Sequence, residues 1–229
     1  MKKFAAVIGY GGMGGWHTQH LLKSDVFELA GIYDIKEERR ALAESRGIHA
    51  YATREELLAD PRIELVTIAT PNDTHEEIAI AALRAGKNVI SEKPVTLSME
   101  SLERMISVAE ECGKIFTVHQ NRRFDVDYLA MKQLHDSGEI GDVIRLESRV
   151  HGSRGIPSDW RGMKPYGGGM LYDWGIHLID QALMVLGWDV DTVNCRFDNI
   201  TRRFDCFDSD HQPHAGNRLN TRGIRKCIK

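Results

Sequence analysis

Lys93 stands in Glu92-Lys93-Pro94, directly after the apolar run Lys87-Asn88-Val89-Ile90-Ser91. That run reads as a buried parallel strand, and open α/β sheets take their ligands in the crevice outside the carboxyl ends of such strands. Pro94 has no N–H and biases its predecessor towards extended backbone, so the ladder stops there. Lys93 is therefore expected at the mouth of a crevice, although a strand-end lysine taken alone is as readily a surface charge. Further along, Asp173, His177 and Asp180 fall at i, i+4 and i+7, on one face of a helix. Ile179, Ala182, Leu183 and Leu186 form the opposite stripe, which is expected to pack inward. A histidine near neutral pKa can take a proton from a hydroxyl, and a carboxylate one turn away can orient it. The plain alternative is a solvated helix pair worth about 0.2–0.5 kcal/mol. The preceding run Gly167-Gly168-Gly169 tilts the reading towards a backbone that closes around a ligand.

Gly9-Tyr10-Gly11-Gly12-Met13-Gly14 follows a first apolar run and precedes a helical segment. In that context a G-x-G-x-x-G run binds a dinucleotide: Gly9 makes the tight turn, Gly11 admits a pyrophosphate, and Gly14 lets helix and strand pack closely. Gly12 and Met13 open the helix whose N-terminal amides would meet the phosphates. Asp34 closes the second strand twenty residues after Gly14, where a carboxylate accepts ribose hydroxyls and repels a 2′-phosphate. NAD is the expected cofactor; Lys36 nearby leaves NADP open, and Asp34 could equally cap a helix. Thr70-Pro71-Asn72 and His75 would border the nicotinamide half, or serve as turn and cap residues. Glu92 and Lys93 would form the inner wall of the same site.

The elements that must position these groups alternate strand and helix over residues 1–120, the signature of a doubly wound parallel sheet. Phe4–Ile8, Phe27–Tyr33, Leu65–Ala69, Val89–Ser91 and Ile115–His119 are the expected strands. Thr53…Glu56 and Thr74…Glu77 have capping-box spacing, and Gly86 and Gly113 sit where helices end. Leu102, Met105, Ile106 and Ala109 make one apolar stripe. Residues 121–200 read as a partial α+β substrate domain. Its expected elements are a helix near Asp125–Asp136 ending at Ser137-Gly138, a strand Val143–Val150, a helix Asp173–Leu186 and a strand near Thr192–Phe197.

With 42% hydrophobic and 28% charged residues and a net charge of −3, the 229-residue chain is composed like a soluble globular protein. Nothing in it suggests nucleic acid or a membrane as partner. Cys112, Cys195, Cys206 and Cys227 show no C-x-x-C spacing, which weighs against zinc and fits a reducing cytoplasm.

Taken in order, Gly9…Gly14, Asp34, Thr70-Pro71-Asn72, Glu92-Lys93-Pro94, Asn121-Arg122-Arg123-Phe124 and Gly167-Gly168-Gly169…Asp173…Gly175…His177 resemble the glucose–fructose oxidoreductase, inositol dehydrogenase and rhizopine-catabolism family. The resemblance runs from about residue 3 to residue 188. It implies NAD(P)-dependent oxidation or reduction of a sugar, polyol or sugar-derived hydroxyl, with Lys93, Asp173 and His177 as the catalytic group. Lys93 would stabilise developing alkoxide charge and His177 would take the hydroxyl proton, so no metal is required. Trp160 and Arg161, in Asp159-Trp160-Arg161, could meet a polyhydroxylated substrate, or form a surface loop with a half-buried tryptophan. Arg123 and Tyr172 are candidates of the same kind. The other class of function is a catalytically silent dinucleotide or sugar binder.

The family closes its second domain with an extended sheet, for which residues 201–229 offer no pattern. That segment carries seven Lys/Arg against three acids, leaving the first 200 residues acidic overall. It reads as a reading frame lost near Ile200–Arg203, the duller option being a short natural variant with a basic tail. On either reading the first domain is expected to fold and bind NAD, with weak or absent turnover. A homo-oligomer is expected of full-length relatives, and the state of this chain is left open.

Overall fold

A computed structural model describes residues 2–151 and 159–195, which belong to two compact units, Met1–His119 and Gln120–Lys229. In the first unit β1 (Lys3–Ile8), β2 (Phe27–Tyr33), β3 (Ile63–Ile68), β4 (Asn88–Ser91) and β5 (Phe116–Val118) form one parallel sheet in the order β2-β1-β3-β4-β5. Ala5, Ala6, Val7 and Ile8 at its centre are at most 1% exposed. A parallel strand covered on both faces has no polar side to alternate with, which is why it reads as an unbroken apolar run. The edge at β2 is covered by its own chain: Ile32 N–H donates to His49 O and Tyr51 N–H to Ile32 O, both at 2.9 Å.

The connections are α1 (Gly12–Leu22), α2 (Glu37–Ser45), α3 (Arg54–Ala59), α4 (His75–Arg84) and α5 (Met99–Glu111). The Thr53 cap forms, with Glu56 N–H donating to Thr53 Oγ1, while Glu56 Oε2 accepts from Ala52 N–H, one residue before the cap. The cap expected at Thr74 does not form. Asn72–Thr74 is a 3₁₀ turn, and the Thr74 hydroxyl is drawn back to Thr70 Oγ1 and Pro71 O. In α5 the buried face is Ser101, Met105, Val108 and Ala109, whereas Ile106 is 42% exposed, so the expected stripe is turned by part of a residue spacing. Gly86 and Gly113 end α4 and α5 at φ 78° and 60°, the left-handed region that favours glycine.

The second unit opens with a 3₁₀ turn, Asn121–Phe124, and α6 (Val126–Ser137), closed by Gly138 at φ 73°. Short turns follow at Trp160–Gly162 and Lys164–Tyr166, then a π-helical turn, Leu171–Gly175, runs into α7 (Ile176–Leu186). One sequence expectation fails here, and a second lies partly outside the described residues. Residues 143–150 pair with no strand among the described residues, and Ile144 is 93% exposed. Among the described residues 192–195 Thr192 makes a bridge; residues 196–229 lie outside the described residues. A strand needs a neighbour to satisfy its backbone groups, and apolar alternation alone does not supply one. Among the described residues no helix is long and apolar enough to cross a membrane.

Candidate functional site

All five strands of the first unit bring a chemically capable residue to their carboxyl ends. After β1, Gly9 turns at φ 91° under Ala69 O, where a Cβ would come within 2.6 Å. At Gly14 a Cβ would overlap Gly9 O, so the start of α1 is held against the strand end by the absence of two side chains. Gly11, the residue before α1, has no side chain to cap its amides, and a Cβ on Gly12 would meet nothing within 4 Å. First-turn amides lacking an acceptor, with open space before them, fit a pyrophosphate. Met13 is half-buried in the same turn.

Asp34, 4% exposed, accepts from Tyr10 N–H at 2.7 Å and Lys36 N–H at 2.9 Å. It therefore ties the glycine turn to the end of β2 and does not cap α2, whose capping position is Lys36. Arg39 Nη1 lies 3.3 Å from Asp34 Oδ2 and within 3.2 Å of a Cβ built on Gly11. Arg40 donates to Asp34 O. Sequence reading named Lys36 as the nearby cation and missed both arginines, which the first turns of α2 return to the acid.

At the ends of β3 and β4 the expected contact residues divide. Thr70, Pro71 and Lys93 are partly exposed. His75 has no exposed surface, and its Nδ1 and Nε2 face Pro94 O and Thr70 O, each at 3.0 Å. Burial lowers its pKa, the neighbouring carbonyls acting against that. A ring so covered braces the loops after β3 and β4, where the sequence suggested direct contact with nicotinamide. Asn72 is 5% exposed, a buried member of the same loop.

Glu92 also departs from expectation. Its Oε1 meets His17 Nε2 at 2.7 Å and His119 Nδ1 at 2.9 Å, while Oε2 accepts from Lys93 N–H at 3.3 Å. Burial pushes its pKa up, but the N–H groups of His119 and His17 outweigh that and bring it down to about 2. At 6% exposure, with both oxygens on protein donors, Glu92 supports the wall of the crevice from behind. His17 and His119 were not singled out from sequence, although His119 follows β5 as Lys93 follows β4.

In the second unit Asp173 lies in the π-turn, where Ile176 N–H donates back to Leu171 O. The turn ends at Gly175, so Asp173 lies in it while His177 belongs to α7. His177, 4% exposed, has Nδ1 3.1 Å from Gln120 Oε1, so an amide oxygen that sequence reading missed orients the ring. The buried face of α7 is His177, Asp180, Ala182 and Val185, with Ile179 at 39% exposure, so the expected inward stripe is partly reversed. The reason is Arg123, whose Nε and Nη2 grip Asp180 at 2.8 and 2.6 Å. That bidentate pair makes a carboxylate buriable and gives Arg123 a structural partner where substrate was expected.

Asp159 accepts from Arg161 N–H and pairs with its guanidinium at 2.6 Å. The guanidinium also lies 4.5 Å over the Trp160 ring and 3.8 Å from Asp173 Oδ1. Tyr172 is half-buried in the π-turn. The glycine run serves this loop: a Cβ on Gly168 would come within 2.5 Å of Arg161 O and Met163 N, and Gly169 N–H donates to Arg161 O at 2.7 Å. Its close approach is to the chain's own backbone, not to a ligand as the sequence suggested.

Comparison with known proteins shows the family to which these elements belong. Residues 3–120 match the model of the oxidoreductase family with an NAD-binding Rossmann fold, and residues 128–215 match that of the GFO/IDH/MocA C-terminal domain. The chain is 34% identical to myo-inositol 2-dehydrogenase of Thermotoga maritima over 191 residues, covering 82% of this chain and 56% of the relative. It is likewise 34% identical to the NADP(+)-dependent scyllo-inositol 2-dehydrogenase IolW of Bacillus subtilis over 185 residues, 79% of this chain and 51% of that one. A crystal structure of an NAD-binding protein from Listeria innocua superposes with a TM-score of 0.79 at 47% identity, covering 82% of this chain and 56% of that chain. The chain thus spans about half the length of the curated relatives it matches. Its glycine cradle, its five-stranded parallel sheet and these matches together show that the chain belongs to the GFO/IDH/MocA oxidoreductase family.

Proposed function

We propose that the chain serves NAD(P)-dependent transfer of a hydride from a polyol or sugar hydroxyl carbon, with Lys93, Asp173 and His177 as the proton-handling residues. The cradle formed by Gly9, Gly11, Gly12 and Gly14 fits a dinucleotide pyrophosphate, and Asp34 fits the adenosine ribose. Bound nicotinamide supplies the hydride acceptor. The observation that carries the reading is the bond from His177 Nδ1 to Gln120 Oε1. An amide oxygen only accepts, so the ring proton is assigned to Nδ1, and Nε2 is the nitrogen proposed to take a hydroxyl proton. Lys93 then hydrogen-bonds the oxygen left negative, and Asp173 favours the protonated imidazole. Trp160, Arg161 and Tyr172 are proposed to face the sugar ring.

NAD is proposed over NADP because Asp34 would repel a 2′-phosphate, while Arg39 and Lys36 moderate that preference. The printed names of the relatives support an inositol-like polyol. Residues 143–150, which pair with no strand among the described residues, favour weak turnover in this chain. Mixing the chain with NAD and myo- or scyllo-inositol, and following absorbance of the reduced cofactor, tests the proposal. Formation of reduced cofactor that is lost in Lys93→Ala and His177→Asn supports it; equal rates in the variants refute it.

A further inference from the structure

His17 on α1, Glu92 after β4 and His119 after β5 converge on a single buried oxygen, Glu92 Oε1. An ionised carboxylate has no proton to give, so both imidazoles must present an N–H to it: His17 from Nε2 and His119 from Nδ1. Burial without those donors would be costly for the charge. The other oxygen accepts the Lys93 amide, the last N–H before Pro94, while His75 Nδ1 lies 3.0 Å from Pro94 O. Glu92 N–H donates to Ile68 O and His119 N–H to Ser91 O, so the backbone beneath the carboxylate is also fixed.

We propose that His17 and His119 are positioning residues that act through Glu92 to set the backbone, and hence the ammonium, of Lys93. The inference rests on the proposed role of Lys93. The three donor atoms lie within 4.8 Å of one another, which also invites a divalent ion. Ligands at tetrahedral zinc distances sit about 3.3 Å apart; contacts of 2.7 and 2.9 Å are hydrogen-bonding distances and favour the proton-linked cluster.

Isosteric replacement separates the readings, because a glutamine amide nitrogen stands where Nε2 stands and an asparagine amide nitrogen where Nδ1 stands. In the 229-residue chain, Lys93 is labelled with a limiting amine-reactive reagent, and its rate is referred by peptide mass spectrometry to Lys36 and Lys114. His17→Ala and His119→Ala are expected to change the Lys93 rate at least about threefold, as its local electrostatics change. His17→Gln and His119→Asn are expected to recover it, with Lys36 and Lys114 unmoved throughout. An unchanged Lys93 rate in the alanine variants overturns the proposal, as does failure of both isosteres to recover it. One-to-one zinc binding by the wild type, lost in the isosteres, overturns it in favour of a metal site. Hydride transfer by Lys93→Ala at the wild-type rate would instead remove the role proposed for Lys93, a result independent of the labelling pattern.

Discussion

At the scale of single residues, Glu92 has the largest consequence for pH. Its carboxyl titrates near 2 when folded, against 4.5 for the free group. A depressed pKa stabilises the fold above the unfolded value and loses that contribution as pH falls towards the folded one. The shift corresponds to about 3 kcal/mol. Glu92→Gln is therefore expected to lower unfolding stability at pH 7 by up to about 3 kcal/mol, the gap to wild type closing between pH 4.5 and 2. Urea melts of both proteins across that range test this; a gap constant with pH contradicts it. Asp34→Ala should raise the NAD dissociation constant about tenfold or more and narrow the preference for NAD over NADP, since it removes a ribose acceptor and a like charge. Titration with both cofactors measures it. Asp34 and Lys93 were legible because motif spacing and strand ends place them. The partners of His75, Glu92 and Arg123 were not legible because burial and pairing are tertiary: no local pattern shows that Arg123 meets Asp180 fifty-seven residues away.

At the scale of elements, the contact between β1 and α1 depends on two missing side chains. Gly14→Ala would drive a Cβ into Gly9 O, where backbone cannot yield as a flexible side chain would. A cost of about 1–3 kcal/mol in stability is expected, with dinucleotide affinity falling more than the stability change alone explains. Gly12→Ala, facing open space within 4 Å, should cost little stability, which makes it the control for calorimetry. The strands and most helices of the first unit were legible, because buried parallel strands are apolar runs and glycines mark the ends of α4 and α5. The π-turn was not. Leu171–Gly175 has ordinary helical composition, and only the bond from Ile176 N–H to Leu171 O reveals the extra residue. Residues 143–150 were read as a strand for the converse reason: their pattern is right and their neighbour is missing among the described residues.

At the scale of the molecule, both units expose large apolar side chains, Ile35 at 83% and Ile115 at 69% in the first. The first encloses a core running from Ala6 through Ile68 to Met105. In the second, Val126, Ile144, Trp188 and Val193 are each at least 68% exposed. Exposed apolar side chains on that scale promote association. The chain is expected to bind an apolar fluorophore and to sediment as larger species with rising concentration, whereas a monodisperse monomer that leaves the dye dark would contradict this. The central claim is a dinucleotide cradle joined to a hydroxyl-oxidising function. The most direct test is a single-turnover experiment with enzyme in excess over NAD and inositol, read as absorbance of reduced nicotinamide in wild type, Lys93→Ala and His177→Asn. The predicted result is slow but measurable reduction in the wild type and a loss of about a hundredfold or more in each variant, with NAD affinity kept within about threefold. Wild-type rates in both variants, or no reduction at all by a chain saturated with NAD, would contradict it.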